Sequence, residues 1–163
     1  MRSTLLVFTV SILFSYCNNE NKETTQTKED KKQVDKQDSI TVDVSGCYRR
    51  IIARDSFTAV FEQRGNAING RLVFDNYEKD GSSGDVKGKL EGDILKLIYT
   101  FNSEGMKSVM HVYFRYQNNK LIRGIGDMDV KGDTAYFKKP DMIVYPEDEV
   151  WQKVSCNEVS LNR

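Results

Sequence analysis

Histidine, proline and tryptophan are scarce in this chain of 163 residues, which contains one, two and one of them respectively. The single histidine, His111, leaves little material for acid–base or metal chemistry that depends on imidazole. Cys-x-x-Cys, His-Glu-x-x-His and Gly-x-Ser-x-Gly motifs are missing, as is a glycine-rich phosphate loop. The sequence therefore predicts a protein that is not an enzyme and that has no resident metal or cofactor.

Net charge is also lacking, because 24 Lys and Arg residues balance 24 Asp and Glu residues. No run of basic residues is interleaved with aromatic residues, so we expect no nucleic-acid partner. The acidic stretch Asp127–Asp133 resembles a calcium loop only in part, because Lys131 and Lys138 stand where an EF-hand needs oxygen ligands. We interpret it as a polar hairpin turn.

No apolar run is long enough for a membrane span. Leu5–Phe14 is about ten residues long and follows Arg2, whereas a spanning helix needs about 20 residues. Its length is typical of the core of a secretory signal, so residues 1–16 are predicted to be a signal peptide. Ordinary cleavage needs small residues one and three positions before the cut, and Tyr16 and Phe14 fit that requirement poorly.

The stretch before Cys17 resembles the bacterial lipoprotein signal, in which an aliphatic residue and two small residues precede the cysteine that receives the lipid. Ser15 matches this box, and Phe14 and Tyr16 differ from its strict form. The resemblance implies that Cys17 is acylated and anchors the protein in the bacterial cell envelope, with the lipid bilayer as a partner. A stray cysteine in an ordinary signal is the alternative.

A polar tether is predicted to follow the anchor over residues 17–44. Between Asn18 and Asp43 the chain has no aromatic residue, five lysines and seven acidic residues. Such a segment buries too little apolar area to offset the entropy of ordering it. A plain disordered terminus without a spacer role is the alternative interpretation.

A β-rich domain is predicted over residues 45–157, with 158–163 as a tail. Short runs of β-branched and aromatic residues alternate with Gly, Asn and Asp turns, which is typical of an all-β barrel or sandwich. We predict a single antiparallel meander that closes into a barrel of about eight strands. Nine candidate strands cover Cys47–Ala53, Phe57–Gln63, Ala67–Tyr77, Asp85–Glu91, Ile94–Phe101, Ser108–Gln117, Lys120–Met128, Thr134–Lys138 and Val150–Ser155.

Period-two alternation predicts the core. The inward residues are expected to be Phe57, Ala59, Phe61, Ile68, Leu72, Phe74, Leu95, Leu97, Tyr99, Phe101, Met110, Val112, Phe114 and Tyr116. The pattern apolar-x-Gly-x-Leu occurs at Ile68–Leu72 and at Val86–Leu90, with a looser echo at Ile122–Gly126. Glycine at matching strand positions is suited to a sheet that bends into a barrel.

Two cysteines bracket the predicted domain. If the meander closes, the strands that carry Cys47 and Cys156 lie side by side, and an exported protein meets an oxidising compartment. A Cys47–Cys156 disulfide is therefore expected, with two separate buried thiols as the alternative.

Polar residues follow two of the predicted strands and define a candidate ligand-contact rim. In a meander, strand ends that are separated by one hairpin meet at the same barrel mouth. The residues expected there are Tyr77, Glu78, Asp80, Tyr99 and Glu104. Solvated loop charges with no role are the alternative.

Four segments together resemble a group of small bacterial lipoproteins that carry a β-barrel-like domain. They are Gly46–Tyr48, Asn76–Asp80 with Gly84, Tyr99–Gly105 and Trp151–Cys156. The resemblance implies an envelope location and assigns no reaction. The chain is also loosely similar to lipocalin-like barrels, but it lacks the early Gly-x-Trp that is characteristic of that family.

Three functions are compatible with these observations. The first is a barrel that binds a small or amphiphilic ligand, in an interior that is either hollow or filled by side chains. The second is an interaction or structural module that recognises another envelope protein. An enzyme that uses rim carboxylates is a distant third.

Overall fold

The computed structural model describes residues 42–103 and 106–159. The predicted signal peptide, Cys17 and Glu104 lie outside the described residues. Ten strands and three short 3₁₀ turns make up the described chain. The strands are β1 (Gly46–Ile52), β2 (Asp55–Arg64), β3 (Ala67–Asp75), β4 (Ser82–Glu91), β5 (Ile94–Ser103), β6 (Met106–Gln117), β7 (Lys120–Arg123), β8 (Met128–Lys131), β9 (Thr134–Phe137) and β10 (Val150–Val154).

Eight of these strands form a closed antiparallel barrel, which confirms the predicted fold. Strands β1 to β7 follow one another as a meander, and β10 closes the circuit by pairing with β7 and β1. Cys47 lies opposite Val154 in the last pairing. The disulfide between Cys47 and Cys156 is present, with the two Cα atoms 5.2 Å apart.

The single meander is interrupted by the β8–β9 hairpin, which the sequence did not predict correctly. The candidate strand Lys120–Met128 is two elements, because β7 ends at Arg123 and β8 begins at Met128. The predicted strand Thr134–Lys138 corresponds to β9, which pairs with β6 in parallel and stands outside the eight-strand circuit. Asp127–Asp133 runs through β8 into the turn of this hairpin.

Large side chains fill the barrel interior, as the alternation predicted. All fourteen predicted core residues are buried or pack against the buried cluster. Trp151 is at the centre, with ring contacts to Phe57, Phe74 and Phe114 at centroid distances of 5.3–6.1 Å. Further ring contacts extend this cluster through Tyr99 to Phe101 and through Phe61 to Tyr48.

Three inward positions carry glycine because no side chain fits there. A Cβ atom at Gly70, Gly84 or Gly88 would stand 2.0 Å from a backbone carbonyl oxygen of the neighbouring strand. Each glycine also pairs with large inward residues on both sides, as Gly84 does with Leu72 and Phe101. Gly70 and Gly88 belong to the two apolar-x-Gly-x-Leu motifs and Gly84 does not; the close approach is present at all three, and the role of the motif glycines in bending the sheet stays a prediction.

The glycines of the third motif, Ile122–Gly126, have a different role. Ile143 packs against the backbone at Gly124 and Gly126, where added Cβ atoms would lie 2.7 and 3.3 Å from its side chain. Ile125 bridges to Val144 beside them. The two glycines therefore end β7 and let residues 143–145 pack on the outside of the barrel, which explains why the predicted long strand is broken.

The domain begins earlier than the composition indicated. Val44 is fully buried and Val42 packs against the same cluster, although both fall in the predicted tether. Gln63 holds this segment through bonds to the Val44 amide and the Val42 carbonyl, each 2.9 Å long. Glu158, placed in the predicted tail, accepts a bond from Arg49 through its carbonyl oxygen. The folded unit therefore extends by a few residues at each end.

We predict that Gly84→Ala lowers the free energy of unfolding by about 1–3 kcal/mol, because the new methyl group must displace the Thr100 backbone. Urea unfolding measures the change. Ser83→Ala on the same strand is the control, with an expected change within about 0.5 kcal/mol. Equal stability of Gly84→Ala and wild type would show that the close approach does not limit the fold.

Candidate functional site

The two ends of the barrel differ in what covers them. The chain enters at one end, where Val42–Ser45 packs beside the β2–β3 turn. The opposite end carries the β1–β2, β3–β4 and β5–β6 connections, and we refer to it as the loop end. Tyr77, Glu78 and Asp80, which the sequence singled out, follow β3 and so belong to the loop end.

Three predicted rim residues lie together in the β3–β4 connection. Tyr77 is 39% exposed, and the Arg54 guanidinium stacks on its ring at 3.1 Å. Its amide donates to Asp55 Oδ1 over 2.7 Å, which ties the loop to the start of β2. Glu78 and Asp80 are exposed, and the Asp80 carbonyl accepts a bond from Asn76. This loop therefore presents two carboxylates and one aromatic ring to solvent.

Tyr99, which the sequence placed both among the inward residues and at the rim, is a core residue. It is fully buried, its ring stacks on that of Phe101 with the centroids 4.6 Å apart, and its hydroxyl donates a bond to Ser82 Oγ over 3.1 Å. Burial raises the pKa of its phenol. The position follows from alternation, since Tyr99 shares the inward face with Leu97. Its ring therefore does not join Tyr77 at the rim.

A polar concavity of about 730 Å³ opens on the outer wall at the loop end. Arg71 donates to Ser83 Oγ over 3.2 Å and forms an ion pair with Asp85 at 3.4 Å. Backbone and side chains from β4, β5 and the start of β6 complete the wall. Those additional residues are Gly81, Ser82, Gly84, Thr100, Phe101, Asn102 and Lys107. We call this surface the polar concavity.

An apolar groove of about 520 Å³ borders the polar concavity. Both are lined by Phe101 and Lys107, so they adjoin at these residues. Met106 and Val130 are each 67% exposed along the groove, which is unusual for large apolar side chains. The remaining lining residues are Ser108, Val109, Met110, Gly132, Asp133 and Ala135.

Three charged side chains form a half-buried cluster that the sequence analysis missed. Arg50 donates two bonds to the Asp148 carbonyl and forms a 3.1 Å ion pair with Glu149 Oε1. Arg123 stands over the Phe74 ring, with its Cζ atom 5.3 Å from the ring centre. Burial lowers the pKa of Arg123, and Glu149 partly counters this effect. We call Arg50, Arg123 and Glu149 the arginine cluster.

Alternation carried a signal for this cluster. Arg50 comes two residues after buried Tyr48, and Arg123 two residues after buried Leu121. Each therefore points to the same side as a core residue, although its type is typical of a surface. A charged residue in register with core positions is the pattern that would have located these side chains.

His111 lies on the outer wall, as the alternation predicted. Its ring stacks near Tyr113 and meets the edge of Tyr136, at centroid distances of 6.5 and 6.4 Å. Within residues 42–103 and 106–159, no three His, Cys, Asp or Glu side chains are grouped in a way that could hold a metal ion. The same ranges contain no helix long and apolar enough to span a bilayer.

Comparisons with protein-family models, with curated proteins and with solved structures found no match. The function must therefore be argued from the geometry of the loop end.

Because burial holds the pKa of Tyr99 above its ordinary value, the folded protein keeps this proton at a pH where the unfolded chain releases it. The contribution of Tyr99 to the free energy of unfolding should therefore be fully present below the unfolded pKa of about 10. It should fall as the pH rises above that value. Urea unfolding at several pH values from about 8 to 11 measures this loss. We expect the free energy of unfolding to fall less steeply with pH in Tyr99→Phe than in the wild type. Identical slopes in the two proteins would contradict this prediction.

Proposed function

We propose that this chain is a lipid-anchored, non-enzymatic binding module of the bacterial cell envelope, and that it holds a small amphiphilic ligand at the loop end. The observation that carries the proposal is the shared border of the polar concavity and the apolar groove at Phe101 and Lys107. A ligand with one polar and one apolar part finds both environments side by side. Each volume is within the range of small-molecule sites, roughly 300–1,000 Å³.

The charges at the border favour an anionic head group. Lys107 has no ion-pair partner among the described residues. Arg71 forms one bond to Ser83 Oγ and an ion pair with Asp85, whose side chain is 75% exposed. An exposed pair of this kind contributes little to stability, so Arg71 can turn toward a ligand at the cost of one bond to Ser83 and a weak pair. Asp133 in the groove is engaged by the Thr134 hydroxyl.

The packed interior supports a site on the surface of the barrel. An eight-stranded barrel has room either for its own side chains or for one small ligand. Here the ring contacts of Trp151, Phe74 and Phe114 occupy the central layer. The exposed methionine and valine of the groove offer an apolar chain a contact that needs no rearrangement of this layer.

The proposed anchor suits this arrangement. Acylation of Cys17 with more than one chain gives firm membrane binding, since a single chain holds only weakly. The described chain begins at Val42, at the end of the barrel opposite the loop end. The proposed tether therefore joins the barrel at the end away from the loop end.

A protein partner is the second candidate, and strand β8 favours it. In the described part of the chain, β8 pairs only with β9 and leaves its other edge without a strand. An unpaired edge can accept a strand from another protein. β8 has only four residues, so the area that it offers is small.

We predict that dodecyl phosphate, used below its micelle concentration, binds saturably to the full chain. Lys107→Glu should weaken binding about tenfold or more, a change of about 1.4 kcal/mol, because it places a like charge at the head group. Isothermal titration calorimetry measures the affinity. Inorganic phosphate and dodecanol, which each offer half of the ligand, should bind more weakly.

Lys120→Glu is the matched control, because Lys120 is exposed and begins β7 at the opposite end of the barrel. An equal loss in both variants would indicate a general effect of net charge. Absence of saturable binding to the wild-type chain would refute the amphiphile proposal.

Intact mass spectrometry of the native protein tests the anchor separately. We expect a mature chain that begins at Cys17 and carries acyl mass, and Cys17→Ser should prevent both the acylation and membrane retention. A mature chain with another first residue, or one without acyl mass, would overturn the anchor and leave the ligand proposal standing.

A further inference from the structure

We propose that the arginine cluster binds the carboxylate of a small organic acid, with Arg123 as the principal donor. Arg50 and Arg123 of this site share the inward face with core residues, whereas the charged residues Arg71 and Asp85 of the polar concavity occupy outward positions of β3 and β4. It is therefore a second site, and it does not depend on the proposed amphiphile.

Strand register brings the members of the cluster together. Val150 lies opposite Ile122 and Trp151 opposite Leu121, so Glu149 continues the same register opposite Arg123. Arg50 approaches from β1, on the other side of β10, and its ion pair with Glu149 joins the two halves. Phe74 lies beneath the Arg123 guanidinium and also contacts the Trp151 ring.

The bonding within the cluster is incomplete. Arg50 is engaged by the Asp148 carbonyl and by one Glu149 oxygen. Among the described residues, the Arg123 guanidinium has no hydrogen bond or ion pair, although it carries five N–H donors. Glu149 Oε2 and Trp151 Nε1 are buried without a partner, and Trp151 is fully buried. Buried polar groups in native proteins are nearly always satisfied by protein or ordered water, and in this cluster the Arg123 guanidinium is the group whose donors a bound acceptor can engage.

Charge selects the class of ligand. Two arginines and one glutamate leave one positive charge on a half-buried cluster, and burial makes an uncompensated charge costly. One monoanion neutralises it. The planar guanidinium of Arg123 matches a carboxylate in a two-bond fork. A phosphate dianion would overshoot the charge.

The surroundings favour an acid with an apolar body. The rings of Phe57, Phe74 and Trp151 contact one another beside the cluster. A carboxylate of this kind comes either from a short free acid or from a fatty-acid head group. The shared chemistry is a monocarboxylate attached to hydrocarbon.

Trp151 is the only tryptophan of the chain, so its fluorescence reports on this site alone. The experiment titrates the full chain with sodium hexanoate, sodium oleate and inorganic phosphate at constant ionic strength. We expect a saturable fluorescence change with a carboxylate, weakened about tenfold or more in Arg123→Gln. Arg54→Gln, on the exposed rim, is the matched control and should keep wild-type affinity.

The two carboxylates separate the sources. A response to hexanoate supports a short free acid, and a response to oleate alone supports a fatty-acid head group. A phosphate response of equal strength would overturn the carboxylate assignment. No saturable response to any probe, or an unchanged one in Arg123→Gln, would show that ordered water alone satisfies the cluster. If Arg123→Gln does not fold, Arg123→Lys keeps the charge, loses the fork and should still weaken binding.

Discussion

The close approach of backbone to backbone at Gly70, Gly84 and Gly88 is the constraint on which the barrel depends. Eight strands that enclose this many aromatic rings close only if some inward positions carry no side chain. Each of these glycines leaves the next strand 2.0 Å from where a Cβ would stand. The bend they permit brings β10 beside β1, and the disulfide between Cys47 and Cys156 then joins neighbouring parts of the chain.

Closure also decides where polar chemistry can reside. A closed barrel satisfies its strand edges internally, so recognition is left to its ends and outer wall. One end is occupied by Val44, which is buried under the Gln63 bonds. At the loop end, by contrast, the β8–β9 hairpin diverges from the circuit and leaves the first part of β6 lining an apolar groove. The two proposed ligand sites both belong to that end.

The sequence predicted those features that depend on local period. Alternation located the core, and turn residues located the barrel strands. The prediction from sequence failed where tertiary contacts override the local pattern. Ile143 packs at Gly124 and ends a strand that the pattern would continue. The rim was predicted only in part, because Tyr77 lies in the exposed β3–β4 connection, whereas Tyr99 lies within β5 on its inward face and is fully buried. The concavities needed side chains from four strands, which no local pattern contains.

Stability alone does not explain the arginine cluster. Well-packed apolar side chains of similar volume are often as stabilising as a buried ion pair, or more so. Tyr48 and Leu121 are core residues at the neighbouring inward positions of the same strands. Apolar side chains in place of Arg50 and Arg123 would extend that core by a further layer. The cost is greatest at Glu149 Oε2 and Trp151 Nε1, which are buried with no partner in the protein. Arg123 has no hydrogen bond or ion pair among the described residues, so a carboxylate that pairs with it turns an uncompensated charge into binding energy, and this is the physical reason to look for function inside the loop end as well as on its surface.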